Sequence, residues 1–196
     1  VSDKDKTGTA GIAHTRWATH GEPNDQNAHP HLSADGKLAL IHNGIIENYL
    51  VLKKELINRG YKFKSDTDTE VLVHLIQDTH NSEHVSWPEA VRLALNGVVG
   101  TYALVIMTED NPTELIVAKK GSPLLIGVGN NEYFIASDGA PIVEYTKKVV
   151  YLEDGDVAIV NPANKLEITN INNEKKRPYT QKLELSLDQL EKGGFP

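Results

Sequence analysis

The periodicity of the apolar residues changes at Gly100, and this change limits the fold more than any other feature of the 196 residues. Beyond it, seven short runs rich in β-branched and aromatic residues follow one another: TYALVIMT, ELIVAKK, LLIGVG, EYFIAS, KVVYLE, DVAIV and LEITNI. Asn-Pro, Gly-Ser-Pro, Asn-Asn and Asp-Gly turn signals separate them, so the second half reads as antiparallel sheet built from hairpins. Before Gly100 the pattern is helical. Ile45, Tyr49, Leu52 and Leu56 recur at helical spacing, with Gly60 placed to cap the end. Thr67-x-x-Glu70 matches a capping box ahead of Val71, Leu72, Leu75 and Ile76. Ser86-Trp87-Pro88-Glu89 has the same spacing and opens a shorter helix that ends at Asn96-Gly97. Two strands are also expected early, KLALIH running into an Asn43-Gly44 turn, and YKFK at residues 61–64. Helices grouped ahead of strands predict α+β packing.

The length and a hydrophobic content of 39% suit one domain with a sizeable core. With 20 basic against 27 acidic residues, the formal charge of −7 argues against a nucleic acid or an anionic membrane surface as partner. No segment approaches the roughly 20 apolar residues of a membrane span, and VSDKDKTG lacks the apolar centre of a signal peptide. The expected compartment is the cytoplasm. The chain has no Cys, which excludes disulfides and thiolate metal sites within it. Among eight histidines, the His29-Pro30-His31 pair supplies two ligands where a metal site uses three or four. His74, His80 and His84 fit a helix and its exit, in solvated or capping roles.

Polar chemistry concentrates in GIAHTRWATHG at residues 11–21, followed by NAHPH at 27–31 and HNGIIEN at 42–48. Gly11, Ile12 and Ala13 read as a strand that delivers an Arg, a Trp, a Thr and a His into a Gly-terminated loop. Arg16 offers a planar fork for a carboxylate and Thr19 adds a hydroxyl. An Arg in such a place is also a common surface ion-pair former, and Trp17 a common packing aromatic. Asn43-Gly44 is a tight-turn signal, and equally a side-chain amide beside an unencumbered N–H, two donors that can form an oxyanion hole. Asp66 and Asp68 fall in the first turn of a helix, where acidic groups favour the dipole, and the Gly and Glu of a calcium loop do not follow. The attacker is missing: Val1 has no nucleophilic atom, and Ser2 and Thr7 sit inside a polar loop.

TRWATHGEP, NAHPH, HNGIIENY, SDTDTEVL, GTYAL, KKGSPLLIGVG and ASDGAP, in this order over about residues 11–160, resemble the glutaminase domain of glucosamine-6-phosphate synthases. These are class II, N-terminal-nucleophile glutamine amidotransferases that act on fructose 6-phosphate. The resemblance implies a four-layer αββα sandwich of the Ntn-hydrolase type, shortened here at its front, where the family carries a catalytic Cys on a first strand. It implies that Arg16 grips the α-carboxylate of L-glutamine, that Thr19 and His20 line the same loop, and that Trp17 belongs to the part of it that closes over substrate. Asp68 meets the α-ammonium, while the Asn43 side chain and the Gly44 N–H face the carbonyl of the scissile amide. No organic cofactor or metal is implied. Residues 1–171 then form a partial amidotransferase domain, and 172–196 a linker toward a sugar isomerase domain, in a protein that is a homo-oligomer at full length. Without the Cys, the 196 residues by themselves are expected to release no glutamate. The alternatives are another class II amidotransferase, of the purine-synthesis or asparagine-synthetase type, and a non-catalytic binding module.

Overall fold

The computed structural model describes residues 8–16, 21–163 and 165–183. Two sheets and one layer of helices make up the architecture. The larger sheet has seven strands in the order β1 (His31–Leu32), β2 (Leu38–Ile46), β3 (Gly100–Thr108), β4 (Leu115–Lys120), β8 (Asp156–Asn161), β9 (Lys165–Asn170) and β10 (Lys175–Lys176). The smaller one runs β11 (Gln181–Lys182), β7 (Lys148–Tyr151), β5 (Leu125–Val128) and β6 (Tyr133–Ala136). Neighbouring strands pair antiparallel, as their hairpin spacing requires. All seven runs beyond Gly100 are strands. The stretch after Asn172, read as linker, contributes β10 against β9 and β11 against β7.

Alternation along β2 and β3 sends successive side chains to opposite faces of the large sheet. Leu38, Leu40, Leu104 and Ile106 face a helical layer of α1 (Tyr49–Asn58), α2 (Asp68–Glu83) and α3 (Trp87–Leu95), packing with Leu72, Val73, Ile76, Val91 and Leu95. Ala103, Val105 and Val117 face the other way, onto Leu124 and onto Ile126 and Val150 of the small sheet. The outer face of that sheet carries Leu125 and Val149, which are covered by Ile142, Val143 and Leu183. Hydrogen-bonded turns over residues 139–146 supply this cover, so among the described residues the fourth layer is a turn segment and no helix. No helix among the described residues is long and apolar enough to cross a membrane.

Local chemistry sets the helix ends. Gly60, at φ +97°, closes α1: its N–H reaches the Ile57 carbonyl at 2.9 Å, and the Tyr61 N–H reaches Leu56 at 3.0 Å, the paired bonds of a Schellman end. Thr67 caps α2 by accepting the Glu70 N–H at 3.2 Å. Glu70 does not complete the box, because its carboxylate goes to the N–H groups of Lys64 and Ser65. At α3 the box is absent: Ser86 makes no side-chain cap, and Glu89 pairs with Arg92 one turn on.

Three expected elements differ. YKFK is not a strand; the Tyr61 and Lys64 N–H groups are taken by the α1 end and by Glu70, which leaves no ladder to join. Gly11–Ala13 is irregular among the described residues, although Ile12 packs into the core between the sheets. Asn43-Gly44 is no turn: β2 runs through it to Ile46, pairing Asn43 with Ala103 and Gly44 with Tyr102. Ile45 therefore belongs to the strand, and α1 starts at Tyr49.

Candidate active site

Gly44 explains why this strand carries an Asn-Gly pair. Its φ is +135°, and a Cβ there would lie 2.2 Å from the Thr101 carbonyl oxygen across the β2–β3 ladder. Only glycine fits such an approach. The neighbours of the pair are clipped to the start of α2. Two residues on, the Ile46 N–H donates to Asp68 Oδ2 at 2.8 Å, and one residue before, His42 places Nδ1 3.1 Å from Thr69 Oγ1 and Nε2 3.4 Å from the Thr101 carbonyl. Asp68 and His42 are both buried. Asn43 thus stands in an exposed position on a backbone fixed from both sides.

His14 holds the Asn43 carboxamide. The Arg16 N–H donates to His14 Nδ1 at 2.9 Å, and His14 Nε2 lies 2.5 Å from Asn43 Oδ1. Arg16 has φ +43°, a left-handed conformation uncommon for a residue with a side chain. Its guanidinium donates to the Gly21 and Glu22 carbonyls at 3.2 Å each. Beside these groups opens a cleft of about 480 Å³, lined among others by His14, Thr15, Asn43, Leu124, Ser137 and Pro141. Trp17, Thr19 and His20 lie outside the described residues.

A row of imidazoles backs the site. The rings of His14 and His29 are 4.4 Å apart, and those of His29 and His31 5.1 Å. Burial, and then the neighbouring His14, His31, His42 and Arg16, push His29 down to about 3, so it is neutral at physiological pH. Burial also lowers His31, against the pull of Glu70 and Asp68. Among the described residues no three His or carboxylate side chains are grouped to hold a metal ion.

Glu70 anchors the far side. It accepts from the Lys64 N–H at 2.8 Å and from the Ser65 N–H and hydroxyl at 2.6 Å each, with His74 Nε2 3.5 Å away. Burial opposes its charge most, yet the neighbouring His74 ring and the hydrogen bonds from the Ser65 hydroxyl and the Lys64 and Ser65 amides outweigh that and bring it down to about 2. His74, expected to be solvated, is buried against Glu70, Tyr61 and Phe63 instead. His80 stacks on Trp87, and His84 ends α2 in a left-handed conformation. Asp66 is exposed, with its N–H on Asn27 Oδ1. His14 escaped the sequence reading altogether; its only local signal is its place two residues before Arg16, from which a ring nitrogen can accept that residue's N–H.

The chain matches a known family. Residues 14–144 match the model of a glutamine amidotransferase domain. The chain is 57% identical over its whole length to a glutamine–fructose-6-phosphate aminotransferase (isomerizing) of Bacteroides thetaiotaomicron, of which it covers 32%. It is 53% identical over 95% of its length to the protein of that name from Chlorobaculum tepidum, covering 30% of it. The chain therefore spans about a third of the curated relatives it matches. Among solved structures, the glutamine phosphoribosylpyrophosphate amidotransferase of B. subtilis superposes with a TM-score of 0.68 at 32% identity, over 84% of this chain and 35% of that one. On these matches, and on an α+β layered fold shared with class II amidotransferases, the chain belongs to the glutamine amidotransferase domain family.

Proposed function

We propose that this chain is the glutamine-hydrolysing domain of an enzyme that supplies ammonia to fructose 6-phosphate for the synthesis of glucosamine 6-phosphate. The observation that carries the reading is the 57% identity along all 196 residues to a relative bearing that activity in its name. The 32% identity to the phosphoribosylpyrophosphate enzyme supports the shared fold and a shared glutaminase step, with a different acceptor. Arg16 takes the α-carboxylate of glutamine and Asp68 its α-ammonium, with Trp17, Thr19 and His20 on the loop between. Asn43 Nδ2 and the Gly44 N–H receive the oxyanion as a nucleophile attacks the side-chain amide.

The chain contains no Cys, so the attacking thiol belongs to residues outside these 196, and these residues alone release no glutamate. The two thirds of the relatives' length that the chain does not span include the sugar isomerase domain. The full-length protein acts as a cytoplasmic homo-oligomer. Measured on the natural full-length protein, Asn43→Ala lowers kcat for glutamate release about 10²–10³-fold and leaves the KM for glutamine nearly unchanged, since an oxyanion donor acts on charge that exists only in the transition state. Normal kcat with a raised KM would move Asn43 to ground-state binding and end the assignment. Ammonia transfer to phosphoribosylpyrophosphate in place of fructose 6-phosphate would favour the purine-type reading.

A further inference from the structure

We infer that His14 is a positioning residue that sets both halves of the site at once: it fixes which face of the Asn43 carboxamide is offered to substrate, and it holds the backbone turn that presents Arg16. The inference rests on the oxyanion reading of Asn43 given above.

The assignment follows from counting protons. A neutral imidazole has one N–H and one bare nitrogen. The Arg16 N–H donates to Nδ1 at 2.9 Å, so Nδ1 is the acceptor and the ring proton sits on Nε2. Nε2–H then needs an acceptor 2.5 Å away, and on Asn43 that atom is the carbonyl oxygen. With Oδ1 committed to His14, the opposite side of the carboxamide is its NH₂, the only side that can stabilise an oxyanion. A free carboxamide rotates between two nearly equivalent flips, one presenting a donor and the other a repelling oxygen. His14 removes the second. The same ring closes a two-residue turn onto the Arg16 N–H, which supports the left-handed φ of +43° from which the guanidinium departs.

Because the two nitrogens have separate tasks, substitutions separate them. His14→Phe keeps the ring and loses both bonds. In the full-length enzyme it lowers the glutaminase kcat about ten- to a hundredfold, below the roughly 10²–10³-fold cost of losing the donor itself, and raises the KM for glutamine about tenfold. His14→Gln has the reach to donate to Asn43 Oδ1 but cannot close the turn, and restores kcat more than KM. His14→Asn is short enough to accept the Arg16 N–H as an Asx-turn and too short for Asn43, and restores KM more than kcat. In an Asn43→Ala background, His14→Phe lowers kcat no further.

Equal losses of kcat and KM in all three single variants would show a merely structural role, and multiplicative kcat losses in the double variant would show that His14 does not act through Asn43; either overturns the inference. The reading beneath it fails differently. Normal kcat in Asn43→Ala alone removes the oxyanion assignment, whereas a large loss there with multiplicative His14→Phe losses removes only the relay.

Discussion

The two walls of the site are built in opposite ways. On the α2 wall, residues 64–74, every functional group is tied to a distant or buried partner: Asp68 to the end of β2, Thr67 to His31, and Glu70 to two backbone N–H groups and a hydroxyl. On the other wall, Arg16 donates to the carbonyls of Gly21 and Glu22, five and six residues away, and the His14 imidazole connects its N–H to Asn43 of β2. The first wall is part of the folding unit, while the second is tied to it through the exposed His14–Asn43 bond. Mutations should therefore separate stability from function along this divide.

Glu70→Ala should produce the largest change. It leaves a buried hydroxyl and two amide donors without their acceptor, and should cost about 3–5 kcal/mol in urea unfolding with an unaltered m-value. A loss below 1 kcal/mol would put the α2 wall on the same footing as the loop.

Acid should act first on the row of imidazoles behind the site and then on the α2 wall. His29 sits at about 3, below its ordinary 6.5, so the unfolded chain takes up a proton that the folded one refuses, and stability falls as pH drops below 6.5. Glu70, at about 2, stabilises the fold fully above its ordinary 4.5 and loses that contribution as pH falls toward 2. Unfolding midpoints measured from pH 7 to 3 should show a first slope, flattened in His29→Phe, and a second, flattened in Glu70→Gln. A single slope untouched by His29→Phe would contradict the histidine half.

Thr67→Ala should cost about 1 kcal/mol, the usual value of a helix cap, read from the shift in thermal midpoint. The smallest effect on stability belongs to Arg16→Ala, within about 0.5 kcal/mol, although glutamine binding should weaken by about 2–5 kcal/mol as the carboxylate loses its partner in a closed site. Calorimetry on the full-length enzyme reads the second number. A large drop in stability would show that the loop is structural after all.

This divide also marks what the sequence made readable. The seven strands beyond Gly100 and the caps at Gly60 and Thr67 rest on local patterns, and all appear where the patterns put them. The place of Asp68 in the first turn of α2 was legible from the Thr67-x-x-Glu70 spacing, whereas its bond to the Ile46 N–H, 22 residues away, was not. Asn43-Gly44 reads as a turn in isolation; its place inside a strand depends on Thr101, 57 positions after Gly44, whose carbonyl approaches too closely for any side chain. YKFK failed for the same reason, since the groups that occupy its amides are a side chain at position 70 and a helix end. His14 could not be found locally, because the task it performs involves Asn43, 29 residues away.

The run of β2 through Asn43 has a consequence for how the site moves. Nine consecutive residue pairs join this strand to β3, so the groups proposed to receive the oxyanion are carried by a backbone that opens only when the domain does. Amide protons of residues 38–46 that bond across this ladder should exchange with solvent at rates set by global unfolding, while that of Arg16, which bonds to an imidazole two residues away, exchanges through local opening. Heating then has two separate meanings for this molecule: it loosens the grip on substrate well before it disturbs the atoms that receive the developing charge. Apparent affinity for glutamine should decay gradually with temperature, and turnover at saturating substrate should hold until the fold itself gives way.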